Sequence, residues 1–338
     1  MIDFRSDTVT KPSKEMREFM LSAEVGDDVF GDDPTVIELE KLGAQMFGHE
    51  AALYCSSGTQ TNQIAIKVWT NPGEEVICHS DAHIYRYEGG GIALNSGASV
   101  RLLNGNSGRI NPNEIVDNIN PDDQHFPPTT LVSIEDTANR GGGVFYDFED
   151  IKQISKICKE NNLPFHLDGA RVFNALEASK IDTKEYGSQF DSISICLSKG
   201  LGAPVGSLLL GSAEFIAKAK RVRKAFGGGM RQAGIIAAGG IYALKNNVTR
   251  LSEDHRRAKE IEQVLNSKSW IENVIPVQTN IVVALLANGV SEYDVVEKIK
   301  EYGILCVAFG KGRIRFTTHL DIDDFDLEEL KTKLPDTL

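Results

Sequence analysis

The stretch that decides the fold is PFHLDGARVFNALEASKIDTKEYGSQFDSISICLSKG, residues 164–200. It contains two short apolar runs, 164–168 and 193–197, and each is followed at once by small or polar residues. Runs this apolar leave no face for water, which is typical of strands buried between layers of helices. The stretch therefore predicts an α/β fold with a mostly parallel sheet.

The same alternation of apolar runs and amphipathic stretches extends in both directions along the chain. A helix is predicted over 35–47, because Asp33 and Pro34 are typical of a helix start and Gly48 of a helix end. The remaining predicted elements of this part are strands at 51–55, 75–79, 131–134 and 205–210 and helices from 59 through 69, at 148–160 and at 213–224.

A different rhythm follows a long helical stretch at 232–265. Apolar runs at 274–286, 305–309 and 313–318 alternate with a helix at 290–302 and a final helix from Asp324, which predicts a compact α/β unit. We therefore expect a large domain over residues 1–247 and a small C-terminal α/β domain over residues 248–338.

Composition narrows the classes of function. The chain has 338 residues, 41% of them hydrophobic, and a formal net charge of −12 without a basic run, which disfavours nucleic acid and anionic membranes as partners. The N-terminus becomes polar within three residues, unlike a signal peptide, and the five scattered cysteines form no C-x-x-C pair. A cytoplasmic protein with free thiols is the expectation.

Three groups of residues follow predicted strands, where open α/β sheets bind ligands. They are Asp168 with Gly169, Ser198 with Lys199, and the segment Ser57–Gly58–Thr59 that leads into a helix. Each alone is unremarkable, since a lysine after a strand is usually a solvated surface residue. Together they match the needs of pyridoxal 5'-phosphate (PLP): a lysine for the aldehyde, a carboxylate for the pyridine nitrogen, and a helix N-terminus for the phosphate.

Nine short segments, in order along nearly the whole chain, carry a resemblance to a known family. They are residues 3–10 (DFRSDTVT), 26–31 (GDDVFG), 56–59 (SSGT), 79–85 (HSDAHIY), 88–90 (EGG), 166–172 (HLDGARV), 197–201 (LSKGL), 228–232 (GGMRQ) and 315–321 (RFTTHLD). The chain resembles the low-specificity L-threonine aldolases, within the β-eliminating lyase group. The resemblance implies an aspartate-aminotransferase-like (fold type I) architecture, with a large mixed-sheet domain and a small domain, and cleavage of L-threonine or L-allo-threonine to glycine and acetaldehyde.

The resemblance also implies a role for each matching residue. Lys199 would carry the cofactor as a Schiff base, Asp168 would hold the pyridine nitrogen, and His83 would stack on the ring. The other implied roles are phosphate binding by Ser57, Gly58 and Thr59, carboxylate binding by Ser6, Arg171 and Arg315 with Arg171 also near the cofactor, a place beside the substrate side chain for His125, and phosphate contacts across a subunit interface by Arg231 and Lys224. The cofactor between subunits implies a homo-oligomer, and the family suggests a tetramer.

One departure stands out: Ala138 occupies a position where family members often carry histidine, in the segment Glu135–Asn139.

Several alternatives stay open at this point. The group that takes the β-hydroxyl proton could be His83, His125 or water, and β-elimination on a hydroxy- or thio-amino acid is the runner-up reaction. A non-catalytic scaffold is disfavoured because Lys199 and Asp168 are present. His79 and His83 lack a third ligand pattern, so no metal is expected. A Ser198–Lys199 hydrolase dyad is also disfavoured, since neighbours on a strand point to opposite sides.

Overall fold

The structure is a computed structural model that describes residues 1–337. Its strands are β1 (Ile2–Asp3), β2 (Ala51–Cys55), β3 (Glu75–His79), β4 (Ser99–Leu103), β5 (Thr129–Glu135), β6 (Phe165–Gly169), β7 (Ser192–Cys196), β8 (Ser207–Gly211), β9 (Ile271–Val274), β10 (Ile281–Leu286), β11 (Ile304–Leu305), β12 (Val307–Ala308) and β13 (Arg313–Thr317). Its α-helices are α1 (Lys14–Leu21), α2 (Pro34–Phe47), α3 (Gly58–Trp69), α4 (His83–Arg86), α5 (Pro112–Val116), α6 (Phe148–Glu160), α7 (Val172–Ser179), α8 (Thr183–Gly187), α9 (Ala213–Ala225), α10 (Gly234–Asn246), α11 (Leu251–Asn266), α12 (Glu292–Glu301) and α13 (Asp324–Lys333).

A seven-stranded mixed sheet forms the centre of the molecule, in the order β2-β8-β7-β6-β5-β3-β4. All neighbouring strands are parallel except β8, which runs antiparallel to both β2 and β7. Every residue of β3, β6, β7 and β8 is buried. The predicted α/β fold with a mostly parallel sheet is therefore confirmed.

Local sequence explains where the predicted elements begin and end. The Asp33 side chain accepts hydrogen bonds from the backbone N–H groups of Thr35 and Val36 at the start of α2, and Gly48 ends that helix with a φ of 74°. The helix predicted at 148–160 has those same bounds as α6, and the other predicted strands and helices of this part agree to within two residues.

Two predicted stretches are divided in the structure. The helical stretch 232–265 is wrong as one element, because α10 ends at Asn246 and the Asn247 side chain then donates to the Leu201 carbonyl at 2.7 Å. Of the apolar run 274–286, residues 281–286 form β10, whereas Val274 is the last residue of the antiparallel strand β9 and Pro276 lies in the turn between the two strands. Strand β4, whose residues are partly exposed, was not predicted.

A second, four-stranded antiparallel sheet, in the order β12-β13-β10-β9, lies in the C-terminal part of the chain. Its apolar core also takes up Ile2 and Phe4, and β1 pairs in parallel with β11. The first residues of the chain are thus attached to the C-terminal sheet. The boundary expected at residues 247/248 falls between α10 and α11, and the division into domains 1–247 and 248–338 stays a prediction.

The parallel strands place their carboxyl ends along one edge of the large sheet. Residues that follow β3, β5, β6 and β7 meet there, together with the start of α3 after β2. Over the described part of the chain, no helix is long and apolar enough to cross a membrane.

Candidate active site

A cavity of about 200 Å³ lies at this edge of the sheet. It is lined by Ser57, Gly58, Thr59, Asn62, His83, Glu88, Asp168, Ala170, Cys196, Ser198 and Lys199. The three groups of residues singled out from the sequence therefore share one cavity, although they are far apart along the chain. Other depressions on the surface are larger, but they lack this set of reactive side chains.

Lys199 lies in the turn that follows β7 and is partly buried. Among the hydrogen bonds and ion pairs within residues 1–337, none involves its Nζ atom, so the amine is available to a ligand. Ser198 lies in the same turn and also lines the cavity. The argument that these neighbours point to opposite sides of a strand was wrong, because both residues lie beyond the end of β7.

Asp168 ends up as a buried carboxyl group near the end of β6, with 2% of its surface exposed. Its oxygens accept hydrogen bonds from the Asn62 side chain at 3.0 Å and the Ala170 backbone at 3.2 Å. Both donors are neutral. A buried carboxylate with only neutral partners is matched to a ligand group that brings its own N–H and positive charge.

Asn62 is held in place from behind by His166. The His166 Nε2 atom lies 3.1 Å from Asn62 Oδ1, and its Nδ1 atom lies 2.9 Å from Ser192 Oγ. Burial lowers the pKa of His166 to about 4, so the ring is neutral near pH 7. A neutral ring that donates to Oδ1 leaves the Asn62 amide group pointing at Asp168.

The start of α3 forms another wall of the cavity. The Ser57 side chain caps the helix by accepting from the Gln60 backbone N–H. Gly58 is required by a close approach, because a Cβ atom there would lie 2.6 Å from Cys196 Sγ. The helix N-terminus can therefore lie against the end of β7, and its free N–H groups and positive dipole end suit a phosphate.

His83 begins α4 and is held at two points by carboxyl groups. Its Nδ1 atom lies 3.0 Å from Glu88 Oε1, and its backbone N–H donates to Glu135 Oε2 at 2.8 Å. Burial by itself would lower the pKa of the imidazole, but the hydrogen bond that His83 donates to Glu88 and the charge of Asp168 raise that pKa above its ordinary value. Glu88 is fixed in turn by the Gln63 side chain at 2.6 Å.

Two arginines lie close together near this cavity: Arg171 is buried and Arg315 is half-buried. Arg171 makes a bidentate pair with Asp7, at 2.6 Å from Nε and 2.7 Å from Nη2. Burial would raise the pKa of Asp7, yet the Arg171 charge and hydrogen bonds hold it well below its ordinary range. Burial and the Arg171 charge lower the pKa of Arg315 to about 10. With Asp7 already committed to Arg171, this corner has excess positive charge that a substrate carboxylate would balance.

Arg315 also has a hydrogen-bond donor that lacks a partner within the described residues. Arg315 Nη1 donates to Asn139 Oδ1 and Nη2 to the Arg5 carbonyl, both at 2.9 Å, whereas its buried Nε has no hydrogen-bond partner. A buried donor without a partner is costly, so a ligand oxygen at this point would relieve a desolvation penalty. Ser6 lies one residue before Asp7 and is partly buried.

Three of the predicted site residues lie elsewhere in this chain. His125 is on an exposed loop, with 75% of its side chain exposed and its Nδ1 atom 2.6 Å from Asp123 Oδ1. Arg231 is exposed and pairs with Asp27 at 2.9 Å, and Lys224 is exposed in the last turn of α9. Their predicted roles stay predictions. Ala138 is buried, and a Cβ on Gly108 would lie 2.6 Å from the Ala138 Cβ, so little room remains there for a larger side chain.

Sequence reasoning missed the residues that orient the site: Glu88, Asn62, Asp7 and Glu135. Glu88 and Asp7 stand inside matching segments, which is the one signal that could have marked them. Glu88 also adds a third candidate metal ligand, because ligand atoms of His83, Glu88 and Asp168 lie within 4.8 Å of one another and could hold an ion. His79 belongs to β3 and does not take part in that group.

The fold and the cavity together define the class. The residues present fit PLP: an available lysine amine, a buried carboxyl group with neutral partners, and a helix start with a glycine that no other residue could replace without a clash. The architecture is that of the aspartate-aminotransferase-like, fold type I PLP-dependent enzymes.

Comparisons with known proteins narrow this class. Residues 3–288 match the model of the beta-eliminating lyase family, and the chain belongs to that family. The low specificity L-threonine aldolase of Escherichia coli K12 is 42% identical over 98% of this chain and 97% of its own length. The probable low-specificity L-threonine aldolase 2 of Arabidopsis thaliana is 40% identical over 97% of this chain and 94% of its own. The solved structure of Leishmania major threonine aldolase superposes with a TM-score of 0.84 over 98% of both chains at 20% identity, which is a likeness of fold.

Proposed function

We propose that this protein cleaves the Cα–Cβ bond of L-threonine and L-allo-threonine, giving glycine and acetaldehyde, with PLP attached to Lys199. The observation that carries the proposal is the shared cavity, in which Lys199, Asp168, His83 and the start of α3 meet. Full-length relatives at 40–42% identity that are named low-specificity L-threonine aldolases support the same reaction.

Bound PLP supplies an electron sink for the pair of electrons released when the Cα–Cβ bond breaks. Lys199 would hold the cofactor covalently through Nζ, and Asp168 would keep the proton on the pyridine nitrogen. Asn62 and the Ala170 backbone hold the Asp168 oxygens in place. The first N–H groups of α3, with the hydroxyl of Thr59, would hold the phosphate.

The substrate is oriented through its carboxylate. Arg315 would offer its unpartnered Nε, and Arg171 would offer Nη1, because its Nε and Nη2 donate to Asp7. Ser6 lies beside them. Fixing the carboxylate on one side would decide which bond at Cα is aligned for cleavage, and in this reaction it is the bond to Cβ.

His83 is the group that we assign to the β-hydroxyl proton, because it lines the cavity and His125 does not in this chain. Glu88 accepts the Nδ1–H and so leaves Nε2 with its lone pair. As the β-hydroxyl oxygen becomes the aldehyde carbonyl, its proton moves to His83 Nε2. A proton must then be delivered to Cα, so that glycine and acetaldehyde together contain every atom of threonine.

An exposed loop supports a proposal about assembly, and the cysteines support one about location. The Val25–Gly31 loop exposes apolar side chains, with Phe30 77% exposed and the Arg231 guanidinium 5.9 Å from its ring. An exposed aromatic beside arginine is typical of an interface between copies, so we propose a homo-oligomer, a tetramer by family likeness, in which Arg231 and Lys224 reach the phosphate of a neighbouring subunit. The five buried free thiols favour the cytoplasm.

Product analysis and spectroscopy test the proposal together. Threonine should yield glycine and acetaldehyde in equal amounts, whereas ammonia with a keto acid would indicate a β-eliminating lyase instead. The purified protein should show a visible absorption band that borohydride abolishes, with the label on Lys199. A Lys199→Ala variant should lack the covalent label and the activity. A wild-type protein that gains no band on addition of PLP would refute the proposal.

A further inference from the structure

Glu135, at the end of β5, is a buried acidic residue that the reaction as described does not use. It is 7% exposed and lies beside Asp168 in the register of β5 and β6. Its two oxygens serve two different walls of the cavity. Oε2 accepts the backbone N–H of His83 at 2.8 Å, and Oε1 accepts the backbone N–H of Asn139 at 2.9 Å.

Each of these two hydrogen bonds holds a residue that either would touch the substrate or binds a residue that would. On one side, the backbone of His83 carries the imidazole that takes the proton. On the other, Asn139 Oδ1 accepts from Arg315 Nη1 at 2.9 Å, so Asn139 sets the position of the carboxylate-binding guanidinium. One carboxyl group therefore connects the two ends of the substrate site, over 52 residues of sequence from His83 and four from Asn139.

We propose that Glu135 is a positioning residue that fixes the spacing between the proton-accepting His83 and the carboxylate-binding Arg315. The inference rests on the proposed function and deepens it. The spacing matters because the carboxylate and the β-hydroxyl are the two points that align the Cα–Cβ bond, and a displacement of 1 Å can cost about 10²-fold in rate.

The hydrogen-bond inventory of the side chain supports this assignment. A carboxylate can accept at both oxygens, whereas glutamine offers one acceptor and one donor. In a Glu135→Gln variant, the NH2 group of the new side chain would point at the backbone N–H of either His83 or Asn139, so two donors would oppose each other. Only one of the two walls could then keep its hydrogen bond, although the volume of the side chain would be nearly unchanged.

The next residue supplies a matched control. Asp136 is also buried and its partners lie away from the cavity, with Tyr186 donating to Oδ2 at 2.6 Å and the Tyr146 backbone donating to Oδ1 at 3.3 Å. Burial raises the pKa of Asp136 to about 7, so Asp136→Asn removes only part of a charge. Both variants remove an acidic group from the same strand end, but only Glu135→Gln alters the substrate site.

The test uses the holoenzyme and three readouts. For Glu135→Gln we expect kcat/KM for L-threonine to fall by about 10²-fold, with weaker binding of glycine, while Asp136→Asn changes neither. Amide hydrogen exchange should become faster at His83 or Asn139 in Glu135→Gln alone. Because exchange is measured without substrate, it reports on the positioning even if the substrate assignment fails. Equal activity losses in the two variants, or unchanged exchange at both amides, would overturn the proposal.

An Asn139→Ala variant covers the case in which Glu135→Gln does not fold. It leaves the buried carboxyl group intact and removes the anchor of Arg315, so KM for threonine should rise more than kcat falls. If both variants fold, a double variant with Glu135→Gln and Asn139→Ala should be made. Its loss of kcat/KM, expressed as free energy, should be smaller than the sum of the two separate losses, since both substitutions act on one connection. Simple additivity, or an unchanged KM in Asn139→Ala, would contradict the proposed connection.

Discussion

Removal of the Asp7 charge is the perturbation whose effect the structure determines most directly. Asp7→Asn keeps the size of the side chain but converts one acceptor into a donor, which faces the Arg171 guanidinium. The pair is bidentate, with both side chains at most 6% exposed, and the Asn280 side chain also donates to Asp7 at 3.1 Å. The variant leaves Arg171 buried beside Arg315 without its anion.

The magnitude follows from this geometry. Breaking a buried ion pair by removing one partner costs about 3–5 kcal/mol, because the other charge stays desolvated. Asparagine still accepts one hydrogen bond, so we expect a loss near the lower end, about 3 kcal/mol of unfolding free energy. The matched control is Asp3→Asn, because the Arg5–Asp3 pair lies four residues away but is 50% and 27% exposed. An exposed pair of this kind contributes about 0–1 kcal/mol.

Urea unfolding followed by tryptophan fluorescence measures both losses, and its dependence on pH adds a second check. The pKa of Asp7 is lowered in the folded protein, so its contribution is present above the unfolded value of about 4 and is lost as pH falls below it. Asp7→Asn should therefore lose less stability than wild type on acidification. Equal costs for the Asp7 and Asp3 variants, or parallel acid profiles for wild type and Asp7→Asn, would refute the reasoning.

Three further predictions concern the cavity. Glu88→Gln should move the acidic limb of kcat/KM to lower pH, because Glu88 helps to raise the pKa of His83; a limb that stays in place would contradict the role of that pair. Gly58→Ala should destabilise the protein by about 1–3 kcal/mol and weaken PLP binding through its clash with Cys196 Sγ, and Cys196→Ala in the same chain should restore both if the clash is the cause. Wild-type stability should decline as pH falls from about 6.5 toward 4, since the pKa of His166 is lowered on folding, and His166→Gln should show a shallower decline in a titration of the urea midpoint.

Much of the architecture could be predicted from local patterns. Continuous apolar runs identified the buried strands, and Asp33 and Gly48 marked both ends of α2. The division of 232–265 into two helices was not predicted in this way, and the hydrogen bond from Asn247 at the break to the distant Leu201 carbonyl is visible only in the folded chain. Strand β4 lacks a continuous apolar run, so its pairing with β3 becomes visible only in the sheet.

The candidate site, like the fold, was predictable from the sequence only in part. The sequence alone identified the reactive side chains: Lys199 and the segment 57–59 come after a strand, and Asp168 lies near the end of one. It also predicted that they meet, because the carboxyl ends of parallel strands share an edge of the sheet. The tertiary structure decided which groups orient that inventory: Asp7 for Arg171, 164 residues away, Glu88 for His83, and Glu135 between His83 and Asn139. The role of a buried carboxyl group depends on which hydrogen-bond donors the fold brings within about 3 Å of it. Those donors come from distant parts of the chain, so no local sequence pattern predicts them.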